Sequence, residues 1–252
     1  VVPRWLLARV LEQQGRGREA AGELERALTE DPGNPELHLE LANVLAALGD
    51  ARALDSYQLA SLNAEVIGRR PPDQRDVFGP LPPRARTIVS DAFGPQGTTP
   101  GRYRHAFAEY LADRKLWSQA LRQWQLVLAD EPKNATAQFG RGVALDALGA
   151  RDQAVDAYRE AVALDGRSLT MRLRLAQALW QTDQYYQAMN EWRTVLGHAP
   201  GNVEARLALA RAHVRTGNPR EAAAEYQRLL LIAPERPEAR QELIRLGAAT
   251  SR

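Results

Sequence analysis

The chain has 252 residues, 44% of them hydrophobic and 25% charged, an ordinary globular composition that suits one long domain or two compact ones. Its 33 Lys and Arg against 31 Asp and Glu leave a formal charge of only +2 with the two signs interspersed, so there is no clustered basic stripe of the kind phosphate backbones attract, and nucleic acid is not an expected partner. The lack of cysteine excludes disulfides, thiolate metal sites and a cysteine nucleophile, and no apolar run approaches the ~18 residues a membrane-spanning helix needs.

At the start, Val1-Val2-Pro3 carries neither an initiator methionine nor a signal-peptide pattern, which points to a piece of a longer polypeptide. Arginine almost replaces lysine, Lys115 and Lys133 being the only two, a bias expected of a GC-rich bacterial genome. The chain is expected to be soluble, in the bacterial cytoplasm or periplasm, or as the soluble part of a larger or membrane-anchored protein.

Ala20, Leu24, Ala27 and Pro32 then introduce a grammar that returns along the chain. Ala120, Ala154, Ala188 and Ala222 stand 34 residues apart, and four positions after each comes Trp124, Tyr158, Trp192 or Tyr226. Val127, Ala161, Val195 and Leu229 follow, then Pro132, Gly166, Pro200 and Pro234. A period near 34 residues predicts a helix-turn-helix repeat. Ahead of each set runs an apolar ladder, such as Leu207, Leu209, Ala210 and His213, which fits one face of a first helix, helix A. Gly15, Gly49, Gly149 and Gly217 mark the turn into helix B, where glycine takes the left-handed conformation at no steric cost, and proline ends the unit. Small residues on helix A (Ala42, Ala108, Gly142, Ala176 and Ala210) and alanines early in helix B predict close antiparallel packing.

These offsets resemble the tetratricopeptide repeat. Repeats are placed at 1–34, 35–67, 101–134, 135–168, 169–202 and 203–236, with 237–252 similar to a capping helix. In the second repeat Ala53, Tyr57 and Ala60 come one residue early, which predicts a shortened turn between its helices, and Trp5 and Trp180 sit off the usual aromatic positions. The pentatricopeptide family has a similar period and binds RNA, but it typically lacks the prolines found here between repeats. The resemblance implies an all-α, right-handed superhelical solenoid of antiparallel helix pairs, with a Pro-rich insertion or degenerate repeat at 68–100.

That insertion holds seven of the fifteen prolines. A short helix fits Arg84 to Phe93, with extended or turn structure elsewhere. Asp76-Val77-Phe78-Gly79-Pro80 is echoed by Asp91-Ala92-Phe93-Gly94-Pro95, and Phe78 and Phe93 are expected to anchor this arm on the solenoid surface.

Catalytic, cofactor and metal sites are not expected. His38, His105, His198 and His213 include no pair at the spacing of four that binds metal on a helix, and His213 lies on the inward face of its helix. His105 and Glu109 are spaced to pair along one helix. Gly94 to Gly101 lacks the lysine of a phosphate-binding loop, no Gly-x-Ser-x-Gly elbow occurs, and Asn134-Ala135-Thr136 reads as a junction between repeats despite matching a glycosylation acceptor.

In the resembled family helix A lines the concave binding face. Carried over, that implies contacts from Arg102, His105 and Glu109; from Phe139, Val143 and Asp146; from Arg174, Gln177, Trp180 and Gln181; and from Arg211, Val214, Arg215 and Arg245. The C-terminal half of this set is basic with interleaved aromatics, for which an acidic or carboxylate-bearing peptide is the simplest complement. The lysine/asparagine clamp of chaperone-binding members is not reproduced: Asn43 matches an asparagine position, but Trp5, Arg9 and Glu40 stand where other parts belong. The expected function is a scaffold or adaptor that holds a protein or peptide without catalysis. The alternatives are the non-catalytic region of a larger bacterial enzyme, such as a glycosyltransferase or envelope polysaccharide machine, and a self-assembling structural module.

Overall fold

The apolar ladders fold as helices throughout a computed structural model that describes residues 4–68 and 100–250, the last three of them by backbone alone. Phe78, Phe93 and the short helix expected near them lie outside the described residues. Within residues 1–132, α1 (Arg4–Gln13) pairs with α2 (Gly17–Glu30), α3 (Pro35–Ala47) with α4 (Ala53–Gly68), and α5 (Pro100–Asp113) with α6 (Trp117–Asp130). Within residues 133–252, α7 (Ala135–Ala147) pairs with α8 (Arg151–Leu164), α9 (Leu169–Gln181) with α10 (Tyr185–His198), and α11 (Val203–Arg215) with α12 (Pro219–Ile232); α13 (Pro237–Thr250) packs on α12. Each unit is a stack of antiparallel pairs in which α2 meets α3 and α4 meets α5, or α8 meets α9 and α10 meets α11. No strand occurs among the described residues.

The two small positions explain the pairing. Ala8, Ala42, Ala108, Ala176 and Ala210 on the A helices are at most 2% exposed, as are Ala20, Ala53, Ala120, Ala154, Ala188 and Ala222 on the B helices. At Gly142 even a methyl group has no room, since a Cβ there would lie 2.7 Å from the Tyr158 ring. The aromatics Trp124, Tyr158, Trp192 and Tyr226 are buried, and so are Leu11, Leu45, Leu111, Leu145 and Leu179, three residues beyond the small position of each A helix. Burying one such side chain contributes about 1.5–3 kcal/mol, so this repeated apolar register dominates the stability of each pair.

Helix ends are capped by the same periodic logic. Asn34, Asn134 and Asn202 accept backbone N–H bonds at the starts of α3, α7 and α11, and Ser168 does so at α9. Asn134 is thus a junction residue. The turns from A to B place Gly15, Gly49, Gly149 and Gly217 at positive φ, but Lys115 (φ 59°) and Asp183 (φ 60°) occupy the same station without being glycine. In the second pair Gly49 keeps its station, and the missing residue is absorbed by i→i+3 bonds from Ala53 N to Asp50 O and from Leu54 N to Ala51 O at the start of helix B.

A further regularity lies four residues before the small position of every A helix but α7, and at the matching station of α13. Arg206 donates to Pro200 O (2.6 Å) in the preceding loop and to Glu225 Oε2 (2.8 Å) on α12. Arg172 likewise reaches Gly166 O (3.0 Å) and Glu191 on α10, Arg240 reaches Pro234 O (2.6 Å), and Arg4 pairs with Glu23. His38 bonds Pro32 O through Nε2 (2.9 Å), and Arg104 pairs with Glu65 and Asp130. Arg206 and Arg172 thereby each tie a connecting loop and two helices together. Arg206→Ala would leave the Pro200 carbonyl without this donor and Glu225 without its buried partner, at an expected cost of about 2–3 kcal/mol. A lowered urea midpoint with an unchanged m-value is the check.

Two further outcomes follow from local geometry. Lys115→Gly should raise stability by about 0.5–1 kcal/mol, because the left-handed strain it removes exceeds the added entropy of the unfolded chain. Asp183→Gly should give less, since aspartate tolerates that conformation and Asp183 accepts the Tyr185 hydroxyl bond.

At His213 the sixth A helix departs from the buried leucines. Its pKa is lowered from 6.5 by burial and then by Arg193, with Glu221 and Glu225 opposing. Because the unfolded chain takes up the proton first, stability present above about pH 6.5 is lost as pH falls through the lower folded value. His213→Leu should therefore flatten the stability–pH curve between about pH 7 and 5, read from thermal midpoints across that range.

Candidate functional site

In the second unit the A-helix side holds a pocket of about 360 Å³. Trp180 comes from α9, Leu207, Arg211, Val214 and Arg215 from α11, Tyr226 from α12, and Glu238, Gln241, Glu242 and Arg245 from α13. Helical spacing presents Leu207, Arg211 and Val214 on one side of α11, while Leu209, Ala210 and His213 pack inward. Tyr226 is only 1% exposed; burial pushes its hydroxyl pKa upward, Glu242 adds to this and Arg211 opposes it. The phenol therefore stays neutral and can donate or accept a hydrogen bond.

Aromatic packing fixes one wall. The Trp180 ring lies 4.7 Å from Tyr185 and 5.9 Å from Trp192, centroid to centroid, and the Arg215 guanidinium sits 5.8 Å from the Tyr185 centroid. Trp180, off the usual aromatic positions in sequence, gains its neighbours from the start of α10 and from its buried aromatic. Arg211 is exposed and makes no hydrogen bond or ion pair among the described residues. On the far wall Glu242 pairs with Arg245 (3.7 Å), and Glu238 has a lowered pKa through the backbone N–H bond at its helix start and through Arg236. Three arginines thus face two carboxylates over an apolar floor, a more mixed charge than a purely basic groove.

Of the residues expected to line a binding face, this pocket gathers Trp180, Arg211, Val214, Arg215 and Arg245. Arg174, Gln177 and Gln181 are exposed elsewhere on α9. On α7, Phe139 is half-buried with its ring 5.6 Å from that of Tyr158, and Asp146 and Arg174 act on the Tyr158 hydroxyl with opposite sign. In the first unit Arg102 donates to Glu36 Oε1 (2.8 Å), a buried carboxylate that also receives the Tyr103 hydroxyl (2.7 Å), so it ties α5 to α3. His105 stands edge-on to Trp124 with centroids 4.8 Å apart, its Nε2 3.3 Å from the exposed Glu109. Asn43 accepts the Tyr57 hydroxyl bond (2.6 Å).

Sequence reasoning missed Leu207, Tyr226, Glu238, Gln241 and Glu242. Glu238, Gln241 and Glu242 follow the helix A grammar into α13, where the family resemblance carries over Arg245 alone. Among the described residues no group of three His, Asp or Glu could hold a metal ion, and no helix is long and apolar enough to cross a membrane.

Sequence models described as tetratricopeptide repeat match residues 4–53 and 187–245 in one case and 105–168 in another, together more than half of the chain. The chain belongs to the tetratricopeptide repeat family. No curated protein matches it. Among solved structures, tetratricopeptide protein YrrB, described as having an unusual peptide-binding site, aligns with TM-score 0.63 and 15% identity over 86% of this chain and 96% of that one. Pseudomonas aeruginosa pilF gives 0.61 and 17% over 98% and 96%. MamA from Desulfovibrio magneticus RS-1 gives 0.55 and 17% over 79% and 94%. At such identities the likeness is of the fold alone. Tetratricopeptide repeats are in general non-catalytic scaffolds that bind proteins or peptides.

Proposed function

We propose that this tetratricopeptide chain is a scaffold or adaptor module that holds an extended peptide of a partner protein on the A-helix side of its second unit. The observation that carries the reading is the pocket in which unpaired Arg211 and aromatic-backed Arg215 stand beside Trp180, Leu207, Val214 and Tyr226. An apolar side chain fills the floor, while a neighbouring carboxylate is gripped by the guanidinium groups. Glu238 and Glu242 disfavour a uniformly acidic strand, so the preferred peptide alternates acidic with apolar residues. The peptide-binding site described for YrrB supports this reading by analogy of fold. Arg174, Gln177, Gln181, Phe139 and Asp146 extend the contact surface along the same unit, whereas Arg102, His105 and Glu109 belong to the other. Holding a peptide in this way needs no catalysis, cofactor or metal.

The test is fluorescence anisotropy with a panel of labelled peptides combining Asp or Glu with Leu or Phe. Arg211→Glu with Arg215→Glu should weaken the best binder by about tenfold or more, equivalent to at least ~1.4 kcal/mol, and Arg211→Glu alone should weaken it measurably with an unchanged thermal midpoint. Equal affinity for the variant would refute the assignment.

A further inference from the structure

The other side of the same unit carries a second pocket, of about 480 Å³, between α10 and α12 with α11 as its floor. His213 lines it and is only 6% exposed, and its Nδ1 is buried with no hydrogen-bond partner. Every earlier A helix has leucine at this station, in Leu11, Leu45, Leu111, Leu145 and Leu179. An imidazole with an unmatched nitrogen is a costly replacement for leucine in a core.

The surroundings of His213 also depart from the preceding groove over α9. There Arg159, 34 residues before Arg193, is held by Gln184 Oε1 and Gln187 Oε1 (both 2.7 Å) and by Asp156 (3.4 Å). Asn190 takes the place of Asp156, Asn218 that of Gln184 and Glu221 that of Gln187. Asn218 keeps the bond to Thr216 that Gln184 makes to Thr182 but does not reach Arg193, which makes no hydrogen bond or ion pair among the described residues. Arg228 reaches in from α12 through its pair with Glu225, which also holds Arg206. Three guanidinium groups thus line the pocket against one lining carboxylate, with Glu221 acting on His213 from α12.

We propose that this outer pocket binds a compact oxyanion, a carboxylate or phosphate group, either free in solution or displayed on a side chain of a partner. Arg193 and Arg228 supply charge-assisted N–H donors, and His213 supplies an imidazole whose protonated form the bound anion stabilises. Binding therefore strengthens as pH falls through the imidazole titration. This site uses none of the residues of the peptide-binding reading and stands or falls without it.

The experiment is a titration of the 15N-labelled chain followed through the His213 ring resonances, at constant ionic strength. Inorganic phosphate, acetate and an acetylated tetraglutamate peptide are the three probes. A saturable shift, accompanied by a raised His213 pKa and weakened about tenfold by Arg193→Ala, is expected. Tighter response to the peptide assigns a displayed carboxylate; tighter response to phosphate assigns a free anion. Arg193 is exposed and without a partner among the described residues, so at about pH 8, above the imidazole titration, its alanine variant keeps its thermal midpoint. Shifts that stay linear with all three probes, or that saturate identically in Arg193→Ala and Arg228→Ala, would overturn the proposal.

Discussion

Helix spacing is the constraint on which this protein depends. Two helices approach as closely as their smallest facing side chains allow, and here those are alanines of at most 2% exposure and one glycine on which the Tyr158 ring rests. Once that separation is fixed, the aromatic four residues further along helix B can reach over the small residue of helix A. The next pair then stacks on a surface of the same shape. Larger side chains at these stations would spread the pair and break contact in the adjoining one, because such cores respond to a single methylene.

Arginine has two roles on this scaffold, and bonding partners separate them. Arg172, Arg206 and Arg240 reach back to a loop carbonyl, and Arg102 and Arg104 are held by carboxylates. Arg174, Arg193 and Arg211 have no such partners among the described residues. A net charge of +2 conceals this division, since it counts a held guanidinium and an unheld one alike.

The pairing of helices was legible in sequence because a period of 34 repeats the same small, aromatic and terminating residues. Turn glycines and the Asn134 junction were legible for the same local reason. The arginine ties were not, since Arg206 and Glu225 are 19 residues apart and meet only after α11 and α12 have packed. Lys115 and Asp183 escaped notice because a turn imposes its backbone on whatever residue occupies it. At the candidate site, Trp180, Arg211, Arg215 and Arg245 entered only through the family resemblance, which carries contact positions over one by one, and the carboxylates beside Arg245 on α13 are not among those positions. Arg102 looked like a surface contact because its partner Glu36 lies on a helix 66 residues earlier.

The position of α13 would tie binding at the proposed site to folding. It packs on α12, with Ala239 and Leu246 in the core beside Tyr226 and Leu229, while Ile244 on its other side is 74% exposed. In a stack where each helix leans mainly on its neighbours, the docking of α13 on α12 has a local equilibrium of its own. Four residues of the pocket belong to that helix. A ligand there would select molecules in which α13 is docked, so its apparent affinity is the intrinsic value reduced by the docked fraction. The same linkage makes occupancy act as a latch, slowing hydrogen exchange in α13 before it affects α7 or α8.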